Sequence, residues 1–301
     1  MALLVVGSVA FDSIRTPHGQ VENIVGGSAT YFSVTASFFT PVRIVAVIGE
    51  DFAEEQLGVF AGRPIDTRGL ERVAGRTFRW RGQYLGDMNE AQTLETQLNV
   101  FERFAPKIPA GYLESEFVFL GNIDPVLQLH VREQLPQARL VACDSMNFWI
   151  KGKLPELKRT LARVDALVIN EGEARMLSGL QNLKKAVAEI RKMGPRIVVV
   201  KRGEYGVVLF SDGNVFSTPA YPLGEVRDPT GAGDTFAGGF MGYLAQRDEL
   251  SETNLRRAVV YGSVMASFAV EDYGLTRLLR LTPAEIERRF HECKHLTHFE
   301  V

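Results

Sequence analysis

The sequence predicts an α/β protein: a parallel sheet covered on both faces, carrying a small β-rich insertion. Three observations predict it. Short apolar runs recur along the chain, helical patterns lie between several of them, and two polar segments with strand-like character interrupt the rhythm. A chain of 301 residues suits one large α/β domain with an insertion, and it buries enough surface to need no disulfide staples.

The elements follow in order. Ala2–Val6 is apolar and stops at Gly7, which suits a buried strand. Similar runs are Ile44–Ile48, Phe117–Leu120, Leu140–Cys143, Ala166–Ile169, Ile197–Val200 and Val207–Phe210. Helical patterns cover Asp124–Gln134, Leu154–Arg163 and Leu183–Met193. Thr77–Tyr84 alternates as a two-faced strand, Gly86–Glu90 reads as a turn, and Thr93–Phe101 as the returning strand. Together with Arg15–Val25, this makes two polar inserts, at about 13–25 and 76–101. They read as a small β-lid on a single domain spanning residues 1–301; a surface hairpin is the plainer alternative. In parallel sheets, ligands sit beyond the carboxyl ends of the strands.

Composition excludes several classes. Basic residues number 34 and acidic ones 36, a net charge of −2, so bulk charge supports neither nucleic-acid nor membrane-surface partners. With 46% hydrophobic and 23% charged residues, the chain is neither disordered nor collagen-like. Its two cysteines, Cys143 and Cys293, cannot build a disulfide framework or a four-thiolate zinc site, and Cys143 reads as a buried small hydrophobe. Every apolar stretch is too short to span a bilayer, and no basic-then-apolar leader opens the chain, so the expected compartment is the cytoplasm.

The chemistry concentrates in Asp228-Pro-Thr-Gly-Ala-Gly-Asp-Thr-Phe-Ala-Gly-Gly-Phe240. A glycine-rich turn leads into a helix whose apolar face carries Phe236, Phe240, Tyr243 and Leu244. Such a turn presents unpaired N–H groups at the positive end of the helix dipole, a ready site for phosphate. A Walker loop is excluded because Gly233-Asp-Thr235 stands where Gly-Lys-Ser/Thr is required. A dinucleotide fingerprint is excluded because Phe236 occupies the place of its third glycine. Asp234 puts a carboxylate where phosphate would bind. Two roles are open for it: a base for a hydroxyl that attacks a phosphoryl group, or an ordinary acid stabilised by the helix dipole.

Asp228-Pro-Thr-Gly-Ala-Gly-Asp234 resembles the C-terminal signature of the ribokinase/PfkB family of sugar and nucleoside kinases. The likeness extends over most of the chain. Gly26-Gly27-Ser-Ala-Thr and Val45-Ala-Val-Ile-Gly-Glu-Asp51 resemble the N-terminal signature, and Gly7–Asp12 resembles the first strand with its substrate aspartate. Asn170-Glu-Gly-Glu173 resembles the Asn-x-x-Glu motif, and Val198–Gly203 a strand followed by a nucleotide-contacting glycine.

The resemblance implies a ribokinase-like three-layer α/β/α sandwich with a small β-sheet lid, and an enzyme that moves the γ-phosphate of ATP to a hydroxymethyl group of a sugar or related polyol. A nucleoside acceptor is the alternative, and a catalytically silent ligand-binding relative is another. Asp234 would be the general base, with the N–H groups of Gly231, Ala232, Gly233 and Asp234 around the moving phosphoryl group. Substrate-binding candidates are Asp12, Gly26, Gly27, Tyr31, Asn122 and Asp234. Candidates for the nucleotide are Asn170, Glu173, Lys201, Gly203, Gly231, Gly233 and Ser263, with Lys201–Gly203 and Tyr261–Ser267 near the adenine. Asn170 and Glu173 would hold Mg²⁺ through water; on their own they read as a helix cap and an early helical acid. A monovalent cation near Asp228 and Thr230 and a homodimer through the lid, on a face with Phe78, Trp80 and Tyr84, are further expectations.

Three features depart from the family pattern or compete with it. Tyr31 stands where an asparagine often contacts the sugar, and offers a stacking surface and one hydroxyl. Asp144-Ser-Met-Asn-Phe-Trp149 lacks the arginine of a common sugar-kinase pattern, leaving Arg79 and Arg81 as substrate contacts or plain surface charges. His291-Glu-Cys-Lys-His295 matches a zinc-hydrolase motif, with His298 and Glu300 as further ligands; a chance match on a polar terminal helix is the plainer reading.

Overall fold

Thirteen strands and their helices are defined in a computed structural model, which describes residues 2–86 and 88–298. The strands are β1 (Leu3–Val6), β2 (Ala10–Thr16), β3 (Gly19–Gly26), β4 (Val42–Gly49), β5 (Ile65–Val73), β6 (Phe78–Tyr84), β7 (Ala91–Gln97), β8 (Phe117–Leu120), β9 (Leu140–Cys143), β10 (Ala166–Asn170), β11 (Ile197–Lys201), β12 (Val207–Ser211) and β13 (Asn214–Thr218).

Nine of them form the large sheet, in the order β13-β12-β11-β10-β9-β8-β1-β4-β5. It is parallel from β5 to β11, and β12 and β13 add an antiparallel edge. The continuous apolar runs follow from burial on both faces. In β1, Leu3 and Val5 join one core while Leu4 and Val6 join the other; in β8, Phe117 and Phe119 divide from Val118 and Leu120 in the same way. The first core is closed by the helices Ser28–Ala36, Ala232–Arg247 and Glu252–Ala269, the second by Pro125–Gln134, Leu154–Leu161 and Leu183–Arg191. The expected three layers are therefore present. Cys143 is fully buried in the second core, and burial pushes its thiol upward, as befits an inert small hydrophobe.

A four-stranded sheet, β3-β2-β6-β7, stands apart from the large one. The second polar insert is shorter as a strand than Thr93–Phe101 suggests: β7 ends at Gln97, and Asn99–Arg103 turns into a 3₁₀ helix. Asp12 lies within β2 of this small sheet, not at the end of the first strand. β5 and β13 escape sequence reading because edge strands with mixed polar patterns bury too little to show a period. None of the described helices is long and apolar enough to cross a membrane.

Candidate active site

Four neighbouring strands of the large sheet end in chemically useful residues. Asn122 follows β8, Asp144 follows β9, Asn170 ends β10 and Lys201 ends β11. The glycine-rich turn meets them from another layer. Gly231 caps the helix Ala232–Arg247 in a left-handed conformation (φ 73°) that favours glycine. A Cβ there would come within 2.5–2.6 Å of the Tyr31 ring, so the ring forms a floor beneath the turn. Ala232 directs its N–H to the Pro229 carbonyl at 3.2 Å. Of the four donors expected to converge, this one is therefore already engaged, while among the described residues no backbone carbonyl accepts the N–H groups of Gly231, Gly233 and Asp234. A Cβ on Gly233 would stand 2.6 Å from Lys201 Nζ, so the ammonium lies beside the turn.

Acidic groups gather round this cation. Burial pushes the Asp234 carboxyl up to about 6; Lys201 and its own N–H oppose the rise, and Glu173 adds to it. Burial also raises Asp144, with Asp234 and Glu173 adding and Lys201 opposing. Asp144 Oδ1 is buried without a hydrogen-bond partner, a costly state that a cation or a proton would relieve. Sequence reading missed this carboxylate, although the altered Asp144–Trp149 pattern marked its place. Asn170 and Glu173 form a capping box: Asn170 Oδ1 accepts the Glu173 N–H, and Glu173 Oε2 accepts the Asn170 N–H, both at 2.8 Å. Burial raises the Glu173 carboxyl, against Lys201 and the Asn170 N–H. One Glu173 oxygen is thus committed to the helix start and the other is available.

Asp12 faces the same centre from the small sheet. It is 5% exposed, and burial lifts its carboxyl to about 7; a Gly27 N–H hydrogen bond opposes this, and Asp228 and Asp234 reinforce it. Gly26 leaves room for that carboxylate, since a Cβ there would overlap it. Gly27 caps the helix Ser28–Ala36 at φ 92° against the Ser8 carbonyl. These two glycines therefore form a tight turn beside Asp12.

The structure places the remaining candidates as follows. Tyr31 is 1% exposed, with its ring against Gly231 and its hydroxyl buried without a partner, so it offers no open stacking surface. Asn122 is already engaged: its amide accepts Trp149 Nε1–H at 2.9 Å and donates to Met146 Sδ at 3.1 Å. Arg79 and Arg81 align with Phe11 and Ser13 of β2, on the face opposite Asp12. Arg79 pairs there with Asp51 at 2.8 Å. Asp228 is fully buried and accepts the N–H groups of Thr230 at 2.9 Å and Gly274 at 3.0 Å, so backbone donors already serve the place suggested for a monovalent cation.

The aromatic face of the small sheet is turned on the chain itself: Phe78 stacks on Phe101, and the Tyr84 hydroxyl bonds to Thr230 Oγ1 at 3.2 Å. Of the three aromatic residues expected at a lid–lid contact, Tyr84 is buried, and Phe78 and Trp80 are part-exposed. In the terminal helix, Glu292 accepts the Tyr221 hydroxyl at 2.8 Å, and the described residues contain no group of three metal-ligating side chains. Glu300 lies outside the described residues.

A cavity of about 600 Å³ opens beside the turn, bordered by Lys201, Gly203, Tyr221, Gly233, Phe236 and Ser263. Lys201 is thus shared between cavity and acidic cluster rather than confined to an adenine pocket. The small sheet reaches this cavity through Met88 and Asn89, which lies beside Gly203 (φ 57°). Its hold on the large body includes hydroxyl pairs, Tyr84 with Thr230 and Thr16 with Tyr273 at 2.9 Å. Tyr84→Phe is expected to lower stability by about 1 kcal/mol in chemical unfolding, the worth of one neutral hydrogen bond.

The family model for pfkB family carbohydrate kinases matches residues 2–280. The chain belongs to that family. It is a phosphotransferase of the sugar and nucleoside kinase type. A cytidine kinase of Thermococcus kodakarensis is 31% identical over 266 residues, covering 85% of this chain and 94% of that protein. A nucleoside kinase of Methanothermobacter thermautotrophicus is 27% identical, with 90% of each chain covered. Among solved structures, the nucleoside kinase of Methanocaldococcus jannaschii superimposes with a TM-score of 0.77 at 19% identity, over 97% of this chain and 98% of that one. A Salmonella enterica aminoimidazole riboside kinase does so with a TM-score of 0.77 at 19% identity, over 96% and 100%. The fold is therefore ribokinase-like. Kinases of this family use ATP with Mg²⁺, and the site fits both: an unpartnered buried carboxylate for a cation, glycine N–H groups with Lys201 for phosphates, and a cavity for the nucleoside part.

Proposed function

We propose that this kinase transfers the γ-phosphate of ATP to the hydroxymethyl group of a ribonucleoside, with Asp234 as the general base. The observation that carries the reading is the convergence of Asp234, at the start of the helix Ala232–Arg247, and Asp12, in the small sheet, beside one glycine turn. The nucleoside choice rests on the cytidine and nucleoside kinases among the relatives.

Asp12 accepts hydrogen bonds from ribose hydroxyls and holds the hydroxymethyl group toward Asp234. Asp234 takes the proton of that hydroxyl as its oxygen attacks the terminal phosphorus, whose bond to the bridging oxygen breaks to release ADP. Gly231 and Gly233 N–H groups, the helix dipole and Lys201 face the charge on the transferring group. Asp144 and Glu173, with Asn170, would hold Mg²⁺ directly or through water, and the ion when bound neutralises phosphate charge. The small sheet acts as a lid over this centre and excludes water, the competing acceptor.

A panel of nucleosides, free sugars and inositols, read as ADP release with ATP and Mg²⁺, tests the acceptor. The expected result is turnover of nucleosides at the highest kcat/KM; preference for a free sugar or an inositol would overturn the nucleoside reading and leave the kinase intact. With a base near 6, kcat is expected to rise with pH through that value and level off above it. A profile flat from pH 5 to 8 would contradict the role given to Asp234.

A further inference from the structure

Asp12 is flanked on its own sheet face by two side chains from neighbouring strands. β2 runs parallel to β6 with Asp12 opposite Trp80, and antiparallel to β3 with Asp12 opposite Ile24. Residues directly opposite share a face, so all three look toward the large body. The Ile24 side is closed, because its side chain lies against Gly274. The Trp80 side is shaped differently. A Cβ on Gly82 would overlap the indole, with Cζ3 2.9 Å away, so the absence of a side chain there lets the ring lie along the strand. Trp80 Nε1–H is tethered to Thr93 Oγ1 of β7 at 3.2 Å, which fixes the ring's orientation. The ring remains part-exposed beside a buried carboxylate.

The direction of β6 ranks these groups. Tyr84, on the same face, meets Thr230 of the glycine turn. Trp80 lies four residues back, about 13 Å along the strand at ~3.3 Å per residue. Going from the turn toward Trp80 therefore leads away from the phosphates. An acceptor whose hydroxymethyl points to Asp234 and whose hydroxyls meet Asp12 carries its far substituent toward this indole.

We infer that Trp80, held flat over Gly82, is the platform of a subsite for the planar heteroaromatic base of the acceptor. The inference rests on the nucleoside reading above and names the group that recognises the base. A single indole face offers stacking without a polar code, so it accepts pyrimidines and purines alike, and discrimination between them lies elsewhere.

The test compares wild type, W80A, W80F and G82A with two acceptors, cytidine and methyl β-D-ribofuranoside, which keeps the hydroxymethyl group and lacks the base. W80A is expected to lower kcat/KM for cytidine roughly 5- to 100-fold, mainly through KM, and to leave the methyl riboside unchanged. W80F is expected to retain most activity. G82A, whose backbone conformation any residue adopts but whose methyl displaces the ring, is expected to move cytidine in the same direction as W80A and so serves if W80A folds poorly. Trp80 and Trp149 are the chain's two tryptophans, so cytidine should quench the wild-type emission, and W80F should lose that quench while still binding. Equal losses for both acceptors, or unchanged cytidine kinetics in both W80A and G82A, would overturn the subsite. A wild type that phosphorylates the methyl riboside but no nucleoside would instead overturn the nucleoside reading, and the subsite with it.

Discussion

Asp234→Asn is expected to lower kcat by about three orders of magnitude while leaving the dissociation constant for ATP within a few-fold of wild type. The amide keeps the shape of the carboxylate and its place at the start of the helix Ala232–Arg247, so the glycine turn stays folded. What it loses is the ability to accept a proton from the attacking hydroxyl. Removing a negative charge from beside Gly233 and Lys201 should also strengthen phosphate binding slightly, so the two readouts move in opposite directions. Rapid-quench turnover and calorimetric titration with a non-hydrolysable ATP analogue measure them separately. Near-normal turnover would remove Asp234 from the role of base, and loss of nucleotide binding would make its role structural.

Asp12→Asn is expected to separate activity from stability. At pH 8, where Asp12 is ionised, activity should fall: a charged acceptor of two ribose hydroxyls becomes a neutral one, and hydrogen bonds to charged groups are worth about 1.5–3 kcal/mol each, so kcat/KM for the acceptor drops on the order of 10²-fold or more. Stability should rise at alkaline pH. The folded chain holds the Asp12 proton up to about pH 7, whereas an unfolded aspartate releases it near 3.8. Its favourable contribution is complete below about pH 4 and declines as pH rises toward 7, leaving above that a buried charge that opposes folding. Wild type without ligands should therefore melt at lower temperature at pH 8 than at pH 5.5. The Asp12→Asn variant should show a flatter dependence and be the more stable of the two at pH 8, by a few kcal/mol. Parallel melting curves for the two proteins across that range would contradict this account of Asp12.

These residues differ in how plainly the chain announces them. The helix start at Gly231–Asp234 could be read directly, because a glycine-rich turn leading into a helical apolar pattern is a local signal over a few consecutive positions. The strand cores could be read for a similar reason: burial on both faces leaves uninterrupted apolar runs such as Val5 and Val6 in β1. Pairings between distant segments could not. Nothing local to Trp80 shows that it stands opposite Asp12, because a parallel β2–β6 pair is fixed by tertiary packing. For the same reason nothing local shows that Arg79 and Arg81 lie on the sheet face opposite Asp12, where the register puts them. Tyr31 was recognised as unusual, but its role beneath Gly231 depends on a contact between two helices. Asp144 stood only in an altered pattern, and its significance comes from an oxygen left without a partner in the folded chain.

The row formed by Asn122, Asp144, Asn170 and Lys201 sits on consecutive strands, spaced by the hydrogen-bonding step of the sheet. Three such steps of about 4.8 Å make a ruler of about 14 Å along one rim. The backbone sets that ruler, so a substitution on it alters the kind of group at a mark without moving the marks. A descendant of this chain could thus exchange one acceptor for another by rewriting a few rim and lid side chains, inheriting the separation between donor phosphate and acceptor as a fixed property of its scaffold.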